Sequence, residues 1–412
     1  MVKPPRVTIA ACGAQALIFH ALCTFSTTVT AASGVPPPVS SNAIDHLVAD
    51  ACNKQTVLLG EDGNHGSGVT VSVKGELVKR LINECGFNAV YFESSIYDFL
   101  DLQRQIERRS ASPEMLANAV GGLWSTTSEV DPLFAFLYNK ANAGTVYLAG
   151  LDLQLGSATS LYQMSTLPIE LSAFLAEPRR TQCTSTVHQL TNWTYAKGEQ
   201  LPSDRTALRN CAIDMQKGIS ASGHASKNAA AAAMADNFLR QMEAPPDGSF
   251  NHRDEAMYDN FVWHRSHRAD RNKIIVWCAT IHAAKRLPFF ANTRMPLGSF
   301  VHALQGEKAA VIGFTALGGS YGRNKDAPAL LTPAAPNSLE GRAFEGTKGD
   351  SVYLDHQQLM ALGAISARAI NYAKPDTAKW SEVVDSMVVL REEKPPHFVR
   401  AARPQQTAAR PQ

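Results

Sequence analysis

The sequence predicts an α/β protein: a mixed, largely parallel sheet flanked by helices, with a helical insertion. Three observations carry this. Short apolar runs rich in β-branched residues recur along the chain: TVLLG from Thr56, AVYFE from Ala89, TVYLAG from Thr145, KIIVWCA from Lys273 and KAAVIGFT from Lys308, with MVVLRE near residue 390 as a last candidate. Segments with helical spacing lie between several of them, the alternation that builds parallel sheets. Residues 157–250 break the pattern, carrying an alanine tract at Ala229–Ala233 and scattered Ser, Thr and Asn, and read as a helical insertion that serves as an appendage or as a lid over a pocket.

Taken in order, residues 1–32 read as a signal peptide: Lys3 and Arg6 precede an apolar run from Val7 to Phe25, and Val29, Ala31 and Ala32 suit cleavage. A periplasmic or secreted protein follows, with no membrane association once the signal is removed. Residues 33–55 form a linker and N-terminal segment, opening on SGVPPPVSS. The α/β core then occupies 56–156 and, after the insertion, 251–400; the last stretch, 401–412, reads as a disordered tail. A net charge of +2, without a lysine or arginine run outside that tail, points away from nucleic acid as a partner. Of seven cysteines, five follow the signal. Export makes a disulfide reasonable, and Cys183 with Cys211 is the expected pair, while Cys85 and Cys278, in apolar surroundings, read as buried thiols.

The chemistry gathers at strand ends, where open α/β sheets bind their ligands. TVLLG runs into a loop that packs Glu61, Asp62 and His65 among Gly60, Gly63, Gly66 and Gly68, glycines that remove side-chain bulk and leave room for a substrate. A helix follows, with Val73, Leu77 and Leu81 on one face and Gly86 as a left-handed stop. His65 is the candidate general base, because imidazole is the side chain that titrates near neutrality. Glu93 closes AVYFE, and Asp152 follows TVYLAG. Arg253 opens a helix carrying Met257 and Phe261 on one face, and His282 lies just past KIIVWCA. Arg253 also has Asp254 and Glu255 beside it for an ion pair on a solvated face, and Trp124 and Trp277 read as core.

These segments, in this order, resemble the erythromycin esterase family of macrolide-inactivating hydrolases. LLGEDGNHGS is similar to that family's strand and G-E-x-x-H-G loop, with Lys74 at the place of a basic residue nine positions past the histidine. GFNAVYFES is similar to its second strand ending in glutamate, GLDLQ to its G-x-D strand end and RDEAMYDN to its R-D-x-x-M-x-x-N helix; VWCATIH is similar to its W-x-H-N-x-H segment. The resemblance implies an ester or lactone hydrolase that uses no cofactor and no metal. In it, His65 draws a proton from water, a carboxylate orients the imidazole, and the oxyanion meets donors from among Arg253, Lys74 and protonated His282. It places Glu61, Asp62, Glu93 and His282 with the catalytic base, and Lys74, Asp152 and Arg253 at the substrate.

The sequence also departs from the family. One extra loop residue puts Asp62, not Glu61, three positions before His65, so either carboxylate can partner the base. Ala279 and Thr280 stand where the family has histidine and asparagine, and Val69 stands where it has a glutamate. The lost imidazole implies slow hydrolysis of erythromycin, or a different substrate with Thr280 or Lys285 as donor. Two other readings stay open: a metal site built from His65, Glu93, Asp152 and His282, and a cleft that binds a small molecule without turnover.

Overall fold

The computed structural model describes residues 41–155, 160–192, 205–223, 227–245, 250–268, 273–290, 293–323 and 327–399. The segments read as signal peptide, as the linker up to residue 40 and as the tail from residue 401 lie outside the described residues. The strands are β1 (Thr56–Leu59), β2 (Ala89–Ser95), β3 (Tyr147–Asp152), β4 (Ile274–Trp277), β5 (Ala309–Tyr321), β6 (Ala329–Leu331), β7 (Ser351–Leu354), β8 (Ala364–Ala367), β9 (Asp376–Lys379) and β10 (Ser386–Glu393). One sheet runs β3-β2-β4-β1-β5-β10-β7, with β6 added to β5. Every pair from β3 to β10 along that path is parallel; β7 on β10 and β6 on β5 are antiparallel, which makes the sheet mixed.

Before the sheet comes α1 (Ser41–Ala51), then α2 (Gly68–Cys85) after β1; α3 (Ile96–Glu107), α4 (Pro113–Val120), α5 (Gly122–Ser125) and α6 (Asp131–Asn142) lie between β2 and β3. Alternate strand residues face opposite sides, as a pleated strand requires. Val57, Leu59, Phe92 and Ile312 pack with Leu77 and Leu81 of α2 on one face, and Leu58, Tyr91, Val276 and Val311 pack on the other. Both faces are therefore covered, which is why the strand sequences read as continuous apolar runs. α2 stops at Gly86, whose φ of 72° is the left-handed cap its position calls for.

Between β3 and β4 every described element is a helix: α7 (Leu161–Ser165), α8 (Leu167–Ser172), α9 (Arg179–Thr191), α10 (Arg205–Ala221), α11 (Ala229–Glu243) and α12 (Phe250–Ser266). The first five build a small core of their own with Leu171, Val187, Leu208 and Phe238, joined to Ile96 and Tyr97 of α3. Past β4 lie α13 (Thr280–Ala283), α14 (Leu297–Gln305), α15 (Leu339–Ala343) and α16 (His356–Leu362).

In the N-terminal segment before β1, α1 buries Leu47 and Val48. β5 runs on past the KAAVIGFT stretch, through Gly318 and Gly319 to Tyr321, and turns back into β6. Cys85 is not a free thiol: it is bridged to Cys52, tying the end of α2 to the end of α1. Cys183 and Cys211 are bridged as expected and join α9 to α10, leaving Cys278 the free cysteine among the described residues. Because the Cys183–Cys211 bridge spans 28 positions, its removal by double Cys→Ser substitution is expected to cost ~3–4 kcal/mol on the chain-entropy account. A denaturation midpoint that does not move on reduction or substitution would contradict this.

Candidate active site

The register of the sheet sets the site. Leu59 of β1 and Phe92 of β2 both stand level with Trp277 of β4. The residues that follow, Gly60–Glu61, Glu93 and Cys278–Ala279, therefore emerge along one edge, with Asp152 at the end of neighbouring β3. The chain moves out from β1 through β2 to β3 and returns through β4 between β2 and β1, so three segments distant in sequence end side by side.

The first group is built around His65. Its Nδ1 lies 2.7 Å from Glu61 Oε1, and the same oxygen accepts from Trp124 Nε1 at 2.7 Å, while Glu61 Oε2 accepts from Lys74 Nζ at 3.0 Å. Glu61, not Asp62, is therefore the partner of the imidazole. Burial alone drives the Glu61 carboxyl upward, but Lys74 and His65 outweigh it and hold the group below the usual carboxylate range. The Trp124 ring stands edge-on to the imidazole at 5.2 Å. His65 itself has φ 55°, a left-handed backbone uncommon outside glycine although asparagine, aspartate and histidine enter it more often than other side chains, and functional loops are where such conformations collect.

Lys74, expected at the substrate, is not there. It is fully buried, donates to Glu61 and the carbonyl of Cys278, and lies 4.1 Å above the Trp277 ring, so its link to His65 runs through Glu61. Asp62 is likewise a scaffold residue, accepting from the backbone N–H groups of Tyr372 and Asn64. Burial raises its carboxyl to about 6 against those donors. The loop glycines also do something other than make space for substrate. A Cβ on Gly60 would lie 2.5 Å from Thr280 Oγ1 and one on Gly66 2.7 Å from the backbone of Gly322, so these glycines admit neighbouring chain.

The loop is held from behind by Glu393 at the end of β10. It accepts from the N–H groups of Val69 and Thr70 in the first turn of α2, from the Thr70 hydroxyl and from the Tyr372 hydroxyl. A remote carboxylate thus caps α2, whose own Ser67 makes no side-chain cap. Burial pushes this carboxyl up to about 7 in spite of those donors.

The second group centres on Arg253 in the first turn of α12. Its Nη2 donates to Glu93 Oε1 at 2.9 Å and to Asp152 Oδ2 at 2.6 Å, and its Nη1 lies 3.0 Å from His282 Nε2. The expected pairing with Asp254 or Glu255 on a solvated face does not occur. Asp254 is fully buried and receives His282 Nδ1 at 2.9 Å along with the N–H of Leu297. Glu93 takes the N–H of Ala279 at 2.8 Å on its other oxygen. Burial opposes the charge on Glu93, yet His282 and Arg253, together with His65, hold it far below the ordinary range. The two groups meet at the end of β4, where Lys74 donates to the Cys278 carbonyl and the next N–H, that of Ala279, is given to Glu93.

His282 can hold a proton or release it. Burial disfavours its charge, but Glu93 and Asp254 raise it above the ordinary imidazole value. Protonated, Nε2 has Glu93 Oε1 at 3.3 Å to donate to; neutral, it accepts from Arg253. The Phe250 ring stacks on the imidazole at 5.2 Å. Lys285 is spent on Asp385 and the carbonyl of Ser381, whereas Thr280 Oγ1 is buried without a partner. Among the described residues no three His, Cys, Asp or Glu side chains converge as metal ligands.

Asp254 and Trp124 are the site residues that sequence reasoning missed. A signal for Asp254 exists: it lies on the stripe 254, 257, 261, 264, whose other members Met257, Phe261 and His264 are all buried. An acid on the buried stripe of a helix needs an internal partner.

Comparison with known proteins agrees with this architecture. A solved succinoglycan biosynthesis protein superposes with a TM-score of 0.66 at 19% identity, over 86% of this chain and 92% of its own. A mutant of the erythromycin esterase EreC in its open conformation gives 0.64 at 15%, over 87% and 96%. A Bacillus cereus protein gives 0.61 at 17%, over 87% and 93%. At these identities the likeness is one of fold. No curated protein sequence matches the chain. The family model described as Erythromycin esterase matches residues 82–393. That span takes in Glu93, Asp152, Arg253 and His282 and begins after the loop of Glu61 and His65. With most of its length inside that match and the sheet those relatives share, the chain belongs to the erythromycin esterase family.

Proposed function

We propose that the chain hydrolyses an ester or lactone, with His65 as the general base and without a metal ion. The observation that carries this reading is the pairing of His65 Nδ1 with a Glu61 that is itself fixed by Lys74 and Trp124. With Nδ1–H given to Glu61, Nε2 keeps the lone pair that takes a proton from water. The resulting hydroxide adds to the carbonyl carbon. Arg253, one quarter exposed, and His282 are the donors available to the oxyanion. Collapse breaks the bond to the leaving oxygen, which takes its proton from the imidazolium. Metal independence is supported by the ion pairs the carboxylates already make: Glu61 is paired with Lys74, and Glu93 and Asp152 share Arg253, whose positive charge stands between them. Export is supported by the charged and apolar N-terminal segment and by two disulfides.

The purified protein, screened against macrolactones and simple esters with and without a chelator, is expected to turn over at least one of them at a rate the chelator does not change. Erythromycin is expected to react slowly, and Ala279→His together with Thr280→Asn is expected to raise that rate by ~10²–10³ if the lost side chain is an oxyanion donor. Chelator-sensitive turnover restored by a single divalent ion would defeat the metal-free reading. Absence of any ester or lactone hydrolysis would defeat the assignment.

A further inference from the structure

Behind the loop of His65, and sharing with its surroundings only Tyr372, a cleft of about 780 Å³ lies between the β5–β6 hairpin, α15 and the small β8–β9 sheet. Its volume falls within the range of small-molecule sites. Tyr321, Asn337, Glu340, Ser366, Arg368 and Thr377 are among the residues that line it. Glu340 is the feature that needs explaining. It is fully buried; its Oε1 accepts from the Thr315 hydroxyl and the N–H of Arg368, but its Oε2 is buried without any partner. A buried carboxylate oxygen left unpaired is costly, and such sites are kept where something else completes them.

We propose that this cleft binds a neutral, polyhydroxylated ligand, a sugar unit, one of whose hydroxyls donates to Glu340. The charge balance selects that class. Among the described lining residues Glu340 is the single carboxylate and Arg368 the single cation. The lone acid offers too few oxygens for a divalent metal, and the guanidinium opposes an organic cation. A hydroxyl is both donor and acceptor, so adjacent hydroxyls can give to Glu340 and take from Arg368 or from the Asn337 amide. Ser366 and Thr377 add hydroxyl partners, and the half-buried Tyr321 ring supplies an apolar face for the C–H side of a sugar. The cleft also touches the catalytic loop from behind: Tyr372 and Ala373 line it, and the Tyr372 N–H holds Asp62.

The test titrates the full-length protein with glucose, galactose, cellobiose and lactose, followed by saturation-transfer NMR, with glucosamine and tetramethylammonium as cationic controls. At least one neutral sugar is expected to bind in the millimolar range. Glu340→Gln, which turns the unpaired acceptor into a donor, should weaken it by at least about tenfold, the loss of one hydrogen bond to a charged group. Ser366→Trp, at a half-buried position, should fill the cleft and abolish binding even if Glu340→Gln fails to fold. Binding should persist in His65→Asn, which separates this claim from the hydrolytic one. The proposal is overturned if no neutral sugar binds at tens of millimolar, if only the cations bind, or if binding survives Ser366→Trp or vanishes with His65.

Discussion

His65→Asn is expected to remove ~10²–10⁴ of the hydrolytic rate, the usual contribution of a positioned general base, or about 3–5 kcal/mol of barrier, while leaving the fold in place. Two features make this a clean experiment. The residue sits at φ 55°, a conformation asparagine tolerates better than most side chains, so the substitution adds no backbone strain. Glu61, which loses one donor, keeps Trp124 and Lys74 and is not left as an unpaired buried charge. Melting temperature and kcat measured on the same preparation therefore report different things. A His65→Asn protein with the rate of the parent would remove His65 from the mechanism, whatever its stability. One that fails to fold would show that the loop depends on the imidazole, and His65→Gln would then be needed.

The strands were legible wherever both sheet faces are covered, because burial on two sides turns β1, β2, β4 and the first half of β5 into unbroken apolar runs. β6, β7, β8 and β9 are three or four residues long and partly exposed, so the pattern in them is too short to stand out from loop. The far end of β5 was hidden for another reason. Leu317–Tyr321 contains two glycines that ordinarily punctuate strands, and only its pairing with β10 and β6 makes it one.

Within the site, the residues at strand ends were legible as a set, because the position after a buried strand is visible in the sequence. Their pairings were not. Whether Glu61 or Asp62 faces the imidazole depends on a loop whose backbone is left-handed at His65, and no periodicity reports that. The family resemblance, through the nine positions from His65, is what puts Lys74 at the substrate. Its burial follows from its place on α2 between Val73 and Leu77, on the same covered side of the helix, where a lysine must find an anion inside the protein. For Arg253 the sequence offers only its neighbours as partners, yet adjacent helical residues diverge in direction, and its carboxylates come from β2 and β3.

The same burial gives the prediction with the largest effect on stability. Lys74 and Glu61 are both fully buried, 3.0 Å apart. Removing one partner of such a pair leaves an uncompensated charge, so Lys74→Met is expected to cost ~3–5 kcal/mol. The double variant Lys74→Met/Glu61→Gln removes both charges and should recover most of that loss, since a neutral pair of similar volume can replace a buried ion pair at little net cost. Its activity should stay low, because a neutral amide no longer stabilises the imidazolium on His65. The pH dependence gives an independent check of sign. In the parent protein Glu61 is held below its ordinary 4.5, so its contribution is present above 4.5 and is lost as pH falls through the folded value. In Lys74→Met the main opposing charge is gone and burial lifts the carboxyl above 4.5, so the penalty is full at pH 7 and shrinks as pH falls toward 4.5. Chemical denaturation at about pH 7 and about pH 5 reads the recovery of the variant, since the Glu61 contribution in the parent is constant between those two values. A Lys74→Met protein as stable as the parent at neutral pH, or one whose deficit grows on acidification, would mean that the pair does not hold Glu61 as a buried carboxylate.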